Sequence, residues 1–226
     1  FRGPTDVWLD KMGLSTRREN IAQWSGHKLE PVIAEMYAEK TGATLTRGAG
    51  TERHPTLSWI VATVDYRAKP GPADIVEIKN VGAWALREWR IGLPIEKVLQ
   101  VQWQMLVCNV PSAHVAALIG GTDFRIYPVA RDDELIEGLV ELAARFWTDH
   151  VLGRVPPPGD PDAREAALEA LYPKNNGVIL PRTPEAEHVY SRLRSIHARE
   201  AELKGEKTDA ENAAKEMLGE ADEVDG

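Results

Sequence analysis

The sequence lacks the features that mark membrane, secreted or disulfide-linked proteins. No apolar run reaches the roughly 18 residues that a transmembrane helix needs, and no secretory signal is visible. Cys108 is the only cysteine among 226 residues, which excludes an internal disulfide and indicates a reducing cytoplasm. A small buried residue on a helix is a better interpretation of Cys108 than a nucleophile.

Basic residues are also scarce relative to acidic ones. The chain has 27 Lys and Arg against 35 Asp and Glu, for a formal net charge of −8. Residues 1–159 carry 19 acids and 18 bases, whereas the chain from Asp160 onward carries 16 acids and 9 bases. An acidic total argues against nucleic-acid binding. The nearly neutral first part weakens that objection, and bound metal ions would add positive charge locally.

Apolar periodicity and turn residues predict an α/β chain. Helices are predicted over 5–14, 25–41, 94–108, 132–152, 162–171 and 185–218, and strands near 44–47, 57–66, 74–79, 115–119 and 124–129. Thr5 or Asp6 is expected to cap the first helix, and Pro31 fits the first turn of the second, which Gly42 ends. Residues 67–73 are turn-forming and join two strands into a hairpin.

A proline-rich segment, 156–161, predicts a domain boundary. We expect a core over residues 1–155, followed by a linker and a charged helical tail over 156–226. The apolar residues of the tail are too sparse to bury one face, so this helix is interpreted as a partner-binding or coiled-coil arm.

The strand 74–79 carries the most informative residues. Side chains alternate faces along a strand, so Glu77 and Lys79 point one way while Val76 and Ile78 point the other. Charged residues are rare in short apolar strands unless they have a partner or a function. A cross-strand salt bridge on an exposed sheet face is the alternative interpretation.

Two further acids are candidates for the same site. Asp65 ends a predicted strand, where an Asp is often simply a turn-former. Glu30 borders the buried stripe of its helix, where an unpaired carboxylate is costly to desolvate; an exposed Glu favoured by the helix dipole is the alternative. Like charges about 4 Å apart repel by roughly 4 kcal/mol at an effective dielectric of 20, so convergence of Asp65, Glu77 and Glu30 requires a cation.

Oxygen ligands of this kind select Mg²⁺ or Mn²⁺. Lys79 is not a ligand while charged. Its expected role is to position or deprotonate an attacking water and to stabilise transition-state charge.

The helix after Pro94 adds two further candidates, Gln100 and Gln104, which share one face of the helix, whereas Gln102 points elsewhere. An amide on that face is suited to holding water or a phosphate oxygen, with plain helix-surface polarity as the alternative.

Taken in order, these segments resemble a known family. The segments are Gly26–Glu30, Trp59 with Ala62–Asp65, Val76–Lys79, and Gln100–Met105. This series is similar to the YqaJ-type viral recombinases, the branch of the PD-(D/E)XK nuclease superfamily that includes the lambda exonuclease. The order and spacing fit across roughly residues 5–153.

The resemblance implies a restriction-endonuclease-like α/β (α+β) fold, with a central mixed sheet flanked by helices and a helical C-terminal extension. It implies that Asp65, Glu77 and the Ile78 carbonyl bind the metal and that Lys79 is the catalytic lysine. Glu30 would support a second metal or an ordered water, and Gln100 would be the active-site glutamine.

The activity implied is that of a Mg²⁺-dependent exonuclease (Mn²⁺ also being suitable) that digests linear duplex DNA 5′→3′ during phage-type recombination. The implied partners are DNA, a single-strand annealing protein and further copies of the chain in a ring trimer, in the cytoplasm of a bacterial host. An endonuclease or single-strand nuclease on the same core is an alternative, as is a non-catalytic DNA-binding or assembly module.

The sequence departs from the family pattern in two places. Family members usually begin with an arginine-bearing segment and a Gly-Gly-Ser-type turn that contact the DNA end. This chain begins at Phe1, after the position of that segment, so we expect a processed piece or part of a longer protein in which these 5′-phosphate contacts are missing. Val64 also stands where a proline commonly precedes the aspartate of this motif, Asp65.

Aromatic and basic residues of the loops are candidates for lining a DNA channel. The alternative is that the tryptophans are core or loop anchors and that the basic residues are solvated surface. The candidates are Trp84, Arg87, Trp89, Arg90, Arg47, Arg53, His54, Arg67 and Lys69.

Overall fold

The computed structural model describes residues 3–15, 20–158, 161–172, 177 and 181–219. Its helices are α1 (Pro4–Lys11), α2 (Ile21–Thr41), α3 (Leu86–Ile91), α4 (Ile95–Cys108), α5 (Asp133–Phe146), α6 (Pro161–Leu171) and α7 (Pro184–Leu218). Its strands are β1 (Leu45–Arg47), β2 (Thr51–Arg53), β3 (Val61–Thr63), β4 (Tyr66–Ala68), β5 (Ile75–Val81), β6 (Ser112–Ile119) and β7 (Asp123–Ala130). Short 3₁₀ and π turns occupy Ala83–Ala85 and Trp147–Leu152.

Five strands form a central sheet in the order β1-β4-β5-β6-β7. Strands β5 and β6 are parallel, and the other neighbours are antiparallel. The parallel pair requires a crossover connection, which α3 and α4 provide between the two strands. The predicted mixed sheet is therefore confirmed, and Gly120-Gly121 lies in the turn that joins the antiparallel strands β6 and β7.

Helices cover both faces of this sheet. On one face, Ile33 and Tyr37 of α2 pack with Val76 and Ile78 of β5. On the other face, Val101 and Met105 of α4 belong to a second buried cluster with Ile75 and Val81. The strand β5 is thus buried on both sides, and its odd-numbered residues face α4. This layering places the side chain of Glu77 between the sheet and α4.

The predicted strand 57–66 is in fact two strands in different sheets. The first, β3, pairs with β2 in a separate two-stranded sheet, and the second, β4, pairs with β1 and β5 in the main sheet. The chain crosses between them at Val64 and Asp65. Gly48 lies against this crossing: its N–H donates to the Asp65 carbonyl at 2.8 Å, and a Cβ at Gly48 would collide with the Val64 carbonyl oxygen. The expectation that Asp65 ends a single strand is therefore wrong.

Two helix starts also differ from the prediction. Helix α2 begins at Ile21, because Asn20 and Gln23 form a reciprocal capping box, with Asn20 Oδ1 accepting from Gln23 N at 2.9 Å. Pro31 consequently lies inside α2 rather than in its first turn. The cap of α1 is Gly3, whose N–H donates to the Asp6 carboxylate. Gly42 ends α2 in a left-handed conformation as predicted.

The chain divides into two compact units, residues 1–172 and 173–226. The first unit extends beyond the boundary expected at residue 156, because α6 packs against α1. In the second unit, the described residues of α7 have no buried side chain. Within the described part of the chain, no helix is both long and apolar enough to cross a membrane.

Candidate active site

Glu77 is the centre of the candidate site. It lies in the middle of β5 and is only 4% exposed. One carboxylate oxygen, Oε1, accepts hydrogen bonds from the Lys79 ammonium and from Gln100 Nε2, the latter at 2.6 Å. The other oxygen, Oε2, accepts from Gln104 Nε2 at 2.6 Å. Three donors thus hold a buried carboxylate that would otherwise be very costly to desolvate.

The local sequence explains why these groups meet. Glu77 and Lys79 are two residues apart on a strand and therefore share a face. Gln100 and Gln104 are four residues apart on α4 and share a face of that helix. Because α4 packs across this face of the sheet, its amides reach Glu77. The predicted proximity of Glu77, Lys79 and Gln100 is thus present in the structure.

Asp65 lies beside this group, at the crossing between β3 and β4. Its Oδ2 accepts a hydrogen bond from the backbone N–H of Ile78 at 2.8 Å, which ties the carboxylate to β5. Burial and the negative charge of Glu77 raise the pKa of Asp65 to about 7, although the Ile78 N–H and the charge of Lys79 act in the opposite direction. A buried carboxyl group whose pKa is raised by burial and by a neighbouring negative charge, as that of Asp65 is, is typical of functional sites.

Glu30 lies on α2, the helix that covers the other face of the sheet from Glu77 and α4. Its negative charge contributes to the raised pKa of Asp65, as the smallest of the causes. Its own carboxylate forms an ion pair with Arg47 of β1 at 3.4 Å. The structure therefore brings Glu30 towards Asp65 without bringing it into contact with Glu77.

The residues present suit a cation with few protein ligands. Among the described residues, no group of three or more His, Cys, Asp or Glu side chains could hold a metal ion, so the three-carboxylate convergence is not formed. The Asp65–Glu77 pair is a two-carboxylate set, and Mg²⁺ is commonly bound by one or two carboxylates with water at the other positions. A cation there would also relieve the repulsion that raises the pKa of Asp65. The Ile78 carbonyl and Glu30 as further ligands stay predictions.

Gln104 also belongs to the site, although the sequence analysis assigned a site role only to Gln100 on the same helix face. Its Nε2 donates both to Glu77 and, at 2.9 Å, to the carbonyl of Thr63, the last residue of β3. Gln104 thereby links β5 to the strand that leads into Asp65. Its buried Oε1 has no hydrogen-bond partner among the described residues. The spacing of Gln100 and Gln104 was the available signal.

We expect substitution of Gln104 to impair function beyond its cost in stability. Gln104→Leu removes two hydrogen bonds and one donor to the buried Glu77, which should cost about 1–3 kcal/mol and reduce the hydrolytic rate at least tenfold. Gln102→Leu is the matched control: Gln102 is equally buried but binds Ala130 O and Asp132 N, away from the carboxylates. Urea unfolding and single-turnover rates of the two variants provide the comparison.

An equal rate loss per folded molecule in both variants would contradict a specific role for Gln104. A loss confined to Gln104→Leu would separate this amide from the general effect of removing a buried glutamine.

The loop residues proposed for DNA contact divide into anchors and exposed groups. Trp89 is buried on α3 and packs edge-on against Tyr127, so it is a core anchor. Arg67 pairs with Glu52 at 2.5 Å, and Arg47 pairs with Glu30. Trp84 lies in the 3₁₀ turn that precedes α3, is highly exposed and stays a candidate for substrate contact.

Two sequence comparisons relate this chain to the same family. Residues 2–111 match the family described as the YqaJ-like viral recombinase domain. The protein YqaJ of Bacillus subtilis (strain 168), itself uncharacterized, is 31% identical over 230 residues, an alignment that covers 98% of this chain and 72% of YqaJ.

Two solved structures have a similar fold. LHK-Exo in complex with dAMP is 22% identical with a TM-score of 0.58. LHK-Exo from Laribacter hongkongensis, described as an alkaline exonuclease, is 20% identical with a TM-score of 0.57. Each match covers 67% of this chain and 79% of the other, and this likeness establishes the fold.

Proposed function

The chain belongs to the YqaJ-like viral recombinase family, and from this premise we propose that it is a Mg²⁺-dependent DNA exonuclease of phage-type recombination. The observation that carries the proposal is the buried Glu77 carboxylate, which accepts a hydrogen bond from the Lys79 ammonium and lies beside Asp65. LHK-Exo, which has a similar fold, is described as an alkaline exonuclease, and this supports an exonuclease activity for the present chain.

The proposed roles follow from the contacts. Asp65 and Glu77 would hold the Mg²⁺ ion, which would supply Lewis-acid polarisation of the scissile phosphate and a lower pKa for the attacking water. Lys79 lies next to both carboxylates, where its ammonium can orient that water and stabilise the extra negative charge of the transition state. Gln100 fixes the Glu77 carboxylate that both depend on.

Glu77 needs a lone pair that is free for ligation in this scheme. Its Oε1 accepts from both Lys79 and Gln100, whereas Oε2 accepts from Gln104 alone among the described residues. A carboxylate oxygen has two lone pairs in the carboxylate plane, so Oε2 has capacity for a further partner. Glu77 would therefore be able to bind a cation while keeping its present donors.

Linear and circular DNA should separate the proposed activity from its alternatives. With Mg²⁺, we expect the chain to degrade linear duplex DNA and to leave covalently closed circles of the same sequence intact; EDTA should abolish the activity. Cleavage of closed circles would instead indicate an endonuclease on the same core. Failure to cleave any DNA with Mg²⁺ or Mn²⁺ would favour a non-catalytic binding or assembly module.

The direction of digestion and the partners are further parts of the proposal. Duplexes labelled at one 5′ end or one 3′ end, with the other strand end blocked, distinguish 5′→3′ from 3′→5′ digestion. Processive digestion is expected if copies of the chain enclose the duplex as a ring trimer, and sedimentation measures that assembly. A single-strand annealing protein is the expected recipient of the exposed strand.

A further inference from the structure

An aromatic cleft adjoins the carboxylate site. It has a volume of about 670 Å³ and lies between α1, α4, α5 and the residues around the start of β3. Its lining is largely apolar and includes Trp59, Trp103, Trp147, Leu142, Gln100 and Lys11. A cleft of this size and character is typical of sites for small organic ligands.

The cleft and the candidate active site share their supports. Gln100 lines the cleft and also donates to Glu77. Trp103, one turn further along α4, lines the cleft and donates its indole N–H to Val61 O at 2.9 Å. Val61 and Thr63 are the two ends of β3, and Gln104 binds Thr63 and Glu77. Hence α4 and β3 together fix the position of the cleft relative to the carboxylate site.

The aromatic rings are fixed and partly accessible. Trp59 and Trp147 stack with ring centroids 6.0 Å apart and an interplanar angle of 21°, and neither is fully buried. The hydrogen bond of Trp103 fixes a third ring. Flat aromatic surfaces bind bases of any sequence by stacking, and Lys11, an exposed residue of the lining, suits a phosphate.

We propose that this cleft receives the base of the nucleotide next to the bond that is hydrolysed. The inference rests on the proposed function, because the continuity through Gln100 matters only if the phosphate is cleaved at Glu77. The base stacks on the tryptophan pair and its phosphate meets Lys11. The cleft therefore holds the strand end at a fixed distance from the carboxylates without reading its sequence.

The experiment uses the full chain in EDTA, where binding is measured without cleavage. The probe is a single-stranded oligodeoxynucleotide with 2-aminopurine at one end and a fluorescent dye at the other. Stacking on tryptophan should quench the 2-aminopurine, while dye anisotropy reports total binding. Trp147→Ala should relieve the quenching and weaken binding about 5- to 100-fold, and Trp147→Phe should retain most of both.

A matched pair of surface leucines controls for charge and folding. Leu142 lines the cleft and is 68% exposed, whereas Leu152 is 65% exposed and lies outside the lining. Leu142→Glu should weaken binding at least tenfold and relieve the quenching, because its carboxylate enters the cleft. Leu152→Glu adds the same charge and should bind as the wild type does. Circular dichroism melting verifies that each variant is folded.

The outcomes distinguish this site from the nuclease proposal. Bound oligonucleotide without quenching, or equal binding by Leu142→Glu and Leu152→Glu, would overturn the base site even if the protein cleaves DNA. Quenching that depends on Trp147, in a protein that hydrolyses no DNA with Mg²⁺, would support the base site and reject the exonuclease. A dimer that Leu142→Glu dissociates while oligonucleotide binding is unchanged would assign the cleft to a second copy of the chain.

Discussion

The Lys79→Ala variant is expected to lose DNA hydrolysis by at least about 10³-fold while remaining folded. The ammonium of Lys79 contacts Glu77 and lies beside Asp65, so it is the cation that the chain itself supplies to the reaction centre. Loss of a group that stabilises developing charge costs about 10²–10³-fold, and proton transfer adds a similar factor when the same group performs it. Glu77 keeps two amide donors in this variant, so folding should persist.

A second lysine of similar environment provides the control. Lys97 on α4 has a side chain 28% exposed, against 24% for Lys79, and its carboxylate contact is the surface residue Glu96. Lys97→Ala should therefore retain nearly full activity. Linear duplex DNA, Mg²⁺ and single-turnover conditions give the comparison, with Glu77→Ala as a third variant. Equal activity of the wild type, Lys79→Ala and Glu77→Ala would refute the proposed catalytic site.

The centre of the site was predictable because it depends on local periodicity. Strand alternation is enough to put Glu77 and Lys79 on one face, and helical periodicity is enough to put Gln100 and Gln104 on another. The family resemblance supplied the remaining information, namely that these two faces oppose each other. The match to the YqaJ-like domain confirms that resemblance.

The position of Asp65 was harder to predict because it depends on long-range packing. The run from Ile60 to Val64, which is apolar except for Thr63 and typical of a strand, gives no sign that the chain changes sheets. The change requires the close approach of Gly48 to the Val64 carbonyl, and no local pattern records which glycine faces which strand. The same limitation applies to Glu30, whose ion pair with Arg47 joins residues on two different elements.

The aromatic cleft was not predictable from single segments. Its three tryptophans, Trp59, Trp103 and Trp147, lie more than 40 positions apart along the chain. Each one alone is well explained as a core residue or loop anchor. Only the packing of α4 and α5 against the start of β3 brings them together, which is a property of the tertiary structure.

The Asp65→Asn variant is expected to be more stable than the wild type at pH 8 without metal, while losing hydrolytic activity. The pKa of Asp65 is raised by burial and by Glu77 to about 7, above the usual value near 3.9 for an unfolded chain. The folded protein therefore holds this proton more tightly than the unfolded chain does. The contribution of the protonated Asp65 to the free energy of unfolding is therefore complete below about pH 4 and is lost as the pH rises through about 7.

The expected gain follows from the size of that shift. About three pKa units correspond to roughly 4 kcal/mol, and sharing of the repulsion with Glu77 reduces the gain to the order of 2–4 kcal/mol at pH 8. Asparagine keeps an acceptor for the Ile78 N–H but cannot ionise. Urea unfolding in EDTA at pH 5 and pH 8 should show the wild type losing stability between these values and the variant losing much less.

Magnesium should reverse the order of stability of the wild type and Asp65→Asn at pH 8, because a ligand that binds only the folded state stabilises that state. We expect 10 mM Mg²⁺ to raise the Tm of the wild type at pH 8 by several degrees and to leave Asp65→Asn nearly unchanged. Asp132→Asn is the control, since Asp132 caps α5 and asparagine caps a helix about equally well; its response to pH and Mg²⁺ should match the wild type. The same Mg²⁺ response in all three proteins would show that Asp65 is not a metal ligand.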